Sequence, residues 1–89
     1  MPQNSDLATC RVCGLIQTDL PWGKTGRDPS HDICDCCGVE FGYGDFTIKA
    51  IQRSRNIWIQ SGTKWRRPKA KPEGWVLEEQ LRNIPDQFR

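Results

Sequence analysis

The sequence predicts a small α+β fold: short β-strands gathered around a bound metal ion, followed by two C-terminal α-helices. Three observations carry that prediction. Cys10-Arg11-Val12-Cys13-Gly14 and Cys34-Asp35-Cys36-Cys37-Gly38 repeat a C-x-x-C turn with a trailing glycine, and a 20-residue spacer, 14–33, separates them. Apolar residues between 46 and 61, and again between 75 and 84, recur at helical spacing. Finally, a chain of 89 residues with 36% hydrophobic content has little to bury. Domains of this size leave roughly 40% of their unfolded surface exposed, and a marginal core needs a staple.

The paired turns supply the staple. Their spacing falls in the range read as a four-cysteine zinc site. Zinc takes four thiolates at tetrahedral corners about 2.3 Å from the metal, and two C-x-x-C turns fill all four. Gly14 and Gly38 let the chain leave each knuckle at positive φ without a Cβ clash. Cys10, Cys13, Cys34 and Cys37 are therefore the expected ligands of one structural Zn²⁺, and the N-terminal half reads as a four-cysteine zinc ribbon of short β-strands. Four thiolates also suit iron, which stands as the second choice of metal. A closed shell leaves no position for a reacting water, so the expected zinc is structural, and apparent binding energies of about 10–16 kcal/mol become folding energy. Cys36 is surplus and reads as a small filler, with its replacing Cys34 in the ligand set left open. His31, the single histidine, is expected at the surface or behind a ligand.

Taken in order, residues 1–8 are polar and read as a frayed tail. Leu7 to Val12 is expected as the first strand and Leu15 to Thr18 as its return. Residues 21–30 are rich in turn formers and read as a loop. Val39, Phe41 and Tyr43 alternate as in a half-buried strand. Asp45 is the expected N-cap of a helix from about Phe46 to Ser61, with Gly62 just past its end. Pro68 and Pro72 forbid a regular helix in the basic stretch 64–72. A second helix is expected from Gly74 or Trp75 to Asn83, with Leu77, Leu81 and Ile84 at i, i+4, i+7 spacing and Pro85 as its stop. The whole reads as a single domain, 1–89: a zinc ribbon with a polar tail over 1–45, and a two-helix segment packed on it over 46–89. Phe41, Ile51, Trp58, Leu77 and Leu81 are the expected interface.

The formal charge is +2, with three basic and seven acidic groups in residues 1–45 against ten and four in 46–89. Four thiolates and one Zn²⁺ add −2, so the metal-bound chain is near neutral but strongly dipolar, which directs it towards partners of one sign at each end. There is no Ser/His/Asp set, no phosphate-cradling glycine loop and no H-E-x-x-H, so a non-enzymatic protein without a small-molecule substrate is expected. No secretory leader and no membrane-length apolar run is read, and an odd cysteine count with paired C-x-x-C turns favours metal over disulfides; cytoplasmic residence is the expectation. Trp58 and Trp75 read as packed. Trp22 and Trp65 are the candidate recognition residues. Lys64, Arg66, Arg67, Lys69 and Lys71 with Trp65 give an alternative reading, a nucleic-acid-binding ribbon.

The set Cys10-x-x-Cys13-Gly14, Pro29 to Tyr43 with its second knuckle, Arg55-x-x-Trp58-x-x-x-Gly62-x-x-Trp65, and Trp75-x-Leu77-x-x-Gln80-Leu81-x-Asn83-Ile84 resembles a group of small, uncharacterised bacterial cysteine-rich (CPCC-like) proteins. Asp35 stands where the common C-P-C-C-G form has proline, and His31 where an aromatic is usual. The resemblance implies a zinc-stabilised module that binds a protein. Relatives encoded beside secreted toxins further imply an immunity protein that neutralises a toxin by direct binding.

Overall fold

The structure, a computed structural model, describes residues 4–89. Three α-helices, α1 (Asn4–Ala8), α2 (Ile48–Gln60) and α3 (Leu77–Leu81), are joined by turns, with 3₁₀ turns at Pro68–Ala70 and Asp86–Phe88. Among the described residues no helix is long and apolar enough to cross a membrane.

The expected α+β class is overturned. Among the described residues there is no strand, only two isolated antiparallel bridges, Thr9–Ile16 and Ile33–Glu40. Each knuckle closes two ladder-like hydrogen bonds and then diverges. In the first, Cys10 N donates to Leu15 O at 2.9 Å and Gln17 N to Ala8 O at 2.7 Å. In the second, Cys34 N donates to Val39 O and Phe41 N to Asp32 O, both at 2.9 Å. The first ladder cannot lengthen because its incoming arm is already helical, α1 ending one residue before Thr9. The second stops because Tyr43 N and Gly44 N both fold back on Glu40 O. That turn passes through Gly42 at φ +100°, where an added Cβ would lie 2.6 Å from Pro29 Cβ. The apolar alternation at 39, 41 and 43 therefore ends early: Val39 and Phe41 are buried, whereas Tyr43 is 80% exposed. The frayed tail expected over 1–8 is also revised, since Asn4–Ala8 is helical; residues 1–3 lie outside the described residues.

Helix α2 lies within the expected span but starts two residues later, because Thr47 and not Asp45 caps it. Thr47 is extended and its Oγ1 accepts the Ala50 N–H at 3.1 Å. Asp45 is fully buried. One of its carboxylate oxygens accepts the Trp22 indole N–H at 2.8 Å and the other the Gly42 N–H at 2.7 Å. Helix α3 is shorter than expected, five residues, and Pro68 opens the 3₁₀ turn in the basic stretch.

The core is built on the knuckles. Cys10, Val12, Cys13, Cys34, Cys36, Val39, Phe41, Ile51, Trp58 and Trp65 form one buried cluster, with Leu15, Trp75, Leu77, Leu81 and Phe88 packed against it. Trp58 meets Trp75 edge-on at 6.4 Å and Trp75 meets Trp65 at 5.6 Å. Such pairs add about 0.5–1.5 kcal/mol each beyond the area they bury. Helix α2 packs on the C-terminal 3₁₀ turn, and Arg55 is the tie. Its Nε donates to Val12 O at 2.8 Å, Nη2 to Arg11 O at 2.9 Å and Phe88 O at 2.6 Å, and Nη1 to Arg89 O at 3.0 Å.

Candidate metal centre

Each knuckle presents two thiols by the same backbone device. Gly14 N donates to Cys10 O and Gly38 N to Cys34 O, both at 3.0 Å, and the two glycines sit at φ +87° and +79°. A side chain at either position would be strained, which fixes why glycine follows both second cysteines. The turns face each other, so that the Sγ atoms of Cys10, Cys13, Cys34 and Cys37 all lie within 4.8 Å of one another. Across the cluster Cys10 Sγ is 3.7 Å from Cys37 Sγ, and Cys13 Sγ 3.6 Å from Cys34 Sγ. A tetrahedron with metal–sulfur bonds of about 2.3 Å has edges of about 3.8 Å. The four thiols are placed to hold one metal ion.

Metal-free, such a cluster shares protons. Hydrogen bonding to Cys10 is the largest influence on three of its members. It drives the Cys34 thiol far down and pushes the Cys13 and Cys37 thiols far up. A bound cation removes the conflict by stabilising every sulfur as thiolate. Nearby groups already favour negative sulfur: Gln17 Nε2 donates to Cys34 Sγ at 3.6 Å. Cys36 is buried but stands outside the four. It accepts Gln80 Nε2 at 3.4 Å, which leaves Cys34 in the ligand set. His31 is also outside, exposed at φ +64° with Nδ1 3.9 Å from Glu40 Oε2.

The chain is 35% identical over 82 residues to the uncharacterised protein YoaQ of Bacillus subtilis (strain 168), a match spanning 73% of this chain and 68% of that protein. It belongs to that protein's family. With the cysteine cluster, the match fits a bacterial cysteine-rich protein. No family model matches the chain, and no solved structure is significantly similar to it.

The remaining candidate residues divide. Trp22 and Trp65 are 6% and 7% exposed, so neither offers its ring to a partner. Trp22 is held by Asp45 and covers the Arg11 guanidinium, whose centre is 4.2 Å from both the Trp22 and Phe88 rings. Burial lowers the Arg11 pKa and the Asp45 carboxylate opposes that shift. Lys64, Arg66, Arg67, Lys69 and Lys71 are exposed as a set. Part of that segment is nonetheless structural: Arg66 N and Arg67 N donate to Cys36 O and Asp35 O at 3.0 and 2.9 Å, and Arg67 pairs with Asp35 at 3.3 Å. Lys71 Nζ stands 5.1 Å from the Trp75 ring centroid.

Two residues that the sequence offers only as positions of the resembling motif, Gln80 and Asn83, lock the C-terminal segment to the first knuckle. Gln80, 8% exposed, donates to Cys13 O at 3.0 Å and accepts Trp75 Nε1 at 2.7 Å. Asn83 donates to Gly14 O at 3.1 Å. Spacing gives a meaning to Leu77, Leu81 and Ile84, whereas the partners of Gln80 and Asn83 lie 67 and 69 residues away, beyond any local pattern.

Proposed function

We propose that this chain is a non-enzymatic, zinc-stabilised protein-binding module of the cytoplasm. The observation that carries the reading is a division of labour within one small chain. The thiols occupy the centre of the core as a closed set, while large apolar side chains stand outside, Tyr43 at 80%, Phe46 at 68% and Ile57 at 61% exposed. A closed four-thiolate shell suits zinc in a fold-holding role. These exposed side chains are the apolar surface we take a protein partner to cover. Neutralisation of a toxin by direct binding is the specific role in keeping with the resemblance to CPCC-like cysteine-rich proteins, whose relatives are encoded beside secreted toxins. The basic 64–71 segment alone favours no nucleic acid, since the Arg67 side chain is paired with Asp35 and the Trp65 ring is covered.

The test begins with elemental analysis of purified protein, which should find one zinc per chain, and circular dichroism, which should show unfolding on chelation. A chain that stays folded with no metal overturns the zinc reading. Co-expression with the product of an adjacent gene should yield a complex and relieve any toxicity of that product. Failure to do either removes the neutralising role, and tight salt-sensitive capture of oligonucleotides in its place overturns the protein-binding reading.

A further inference from the structure

From Phe46 to Pro72 the chain holds eight basic residues and no acidic one. Within that span, the side of α2 bearing Ile57 borders a groove of about 320 Å³ against the second knuckle. Ile57, 61% exposed, gives its main apolar surface above the buried Val12, Val39 and Trp58, Ser54 and Ser61 line it, and Lys64 stands in its lining. None of its nine lining residues is acidic. Arg53 is four residues before Ile57, one helical turn away on the same face, and is exposed. Arg66 runs its stem past Gly38, another lining residue, with its Cβ and Cδ each 3.8 Å from where a Cβ on that glycine would be. Cys37, the one ligand that is not fully buried, forms part of the wall.

Taking the chain as a protein-binding module, we infer that this groove is its docking site and that the occupant is a partner-protein segment with an apolar side chain flanked by carboxylates. The apolar side chain packs on Ile57, over the edge of the buried Val39; the carboxylates reach Arg53, Lys64 and Arg66 at the rim. A nucleic acid would use the cations and leave the apolar walls bare. A second copy of this chain could bring the acids of its residues 1–45, such as Asp32 beside the exposed Ile33, and its self-association is the competing outcome read in the test.

Selection of a displayed random-peptide library on the zinc-loaded full chain tests the assignment. Enriched peptides should carry Asp or Glu around Leu, Ile or Phe, and in NMR titrations they should move the signals of Val39, Ile57 and Ser61. Ile57→Glu, and separately Arg53→Glu with Lys64→Glu, should each weaken an enriched peptide at least about tenfold, which is about 1.4 kcal/mol. Zinc content and dichroism should be unchanged. Enriched peptides without acids, signals that move elsewhere, binding untouched by these variants, or tighter binding of a single-stranded oligonucleotide would each overturn the groove assignment. So would self-association, seen by ultracentrifugation, that Ile57→Glu abolishes. Loss of zinc from the wild-type chain is a separate result and would count against the module reading itself.

Discussion

The first knuckle closes with Gly14 N on Cys10 O and the second with Gly38 N on Cys34 O, at the same 3.0 Å. Their surroundings could hardly differ more. At Gly14 the C-terminal segment presses so close that an added Cβ would lie 2.1 Å from Gln80 O. At Gly38 the nearest atoms belong to the Arg66 stem, 3.8 Å away. One local geometry thus serves two purposes: the first knuckle is a floor on which the rest of the chain is built, and the second remains partly open to whatever approaches. The repeated motif fixes ligand placement. Its neighbours decide which copy is buried.

The largest effect should come from breaking the symmetric part. Cys13→Ser should lose zinc and fold together, since metal binding is worth about 10 kcal/mol or more in such sites. Cys36→Ser, beside the same cluster, should keep one zinc per chain; elemental analysis and dichroism read both. Acid acts on the same linkage. Cys13 and Cys37, held up chiefly by hydrogen bonding to Cys10, keep protons that the metal must displace. Apparent zinc affinity should therefore fall as pH is lowered and rise as it is raised, with proton release on binding measurable by calorimetry in buffers of different ionisation heat.

The glycines give the next contrast. Gly14→Ala sets a methyl against a backbone carbonyl as well as straining φ, and should cost more than about 3 kcal/mol in denaturant melts. Gly38→Ala pays only for the left-handed backbone, about 1–2 kcal/mol. Equal costs would mean that the C-terminal segment does not rest on the first knuckle. Smaller still is the difference between the links that hold each knuckle to later residues. Gln80→Ala leaves Trp75 Nε1 and Cys13 O unpaired inside the protein and should cost about 2–3 kcal/mol. Arg67→Ala removes an exposed ion pair to Asp35 and should cost no more than about 1 kcal/mol.

What could be read in the sequence follows the same divide. The four ligands, the glycines and the body of α2 are written in spacings of three to four residues, and local geometry realises them without help from distant parts of the chain. Strands were expected because a knuckle and a ribbon share turn residues. The outcome depended on where the arms go next, on α1 ending at Ala8 and on the fold-back at Glu40. Asp45 looked like a cap because it precedes a helix. It was drawn inwards by Trp22, 23 residues earlier, a partner that no local pattern reveals. Gln80 and Arg55 are of the same kind, since their meaning lies in carbonyls as many as 67 residues away.

The three indoles of Trp58, Trp75 and Trp65 stand in series, with centroids 6.4 and 5.6 Å apart, in or against the cluster that contains the thiols. At such separations their electronic transitions couple, so the folded chain should give a strong near-ultraviolet dichroic signal and exchange excitation among the rings. Withdrawal of the metal, by scattering them into water, should erase that signal and move the emission to longer wavelength. Metal loading should then be readable in real time from the chain's own indoles, without a dye or a tag.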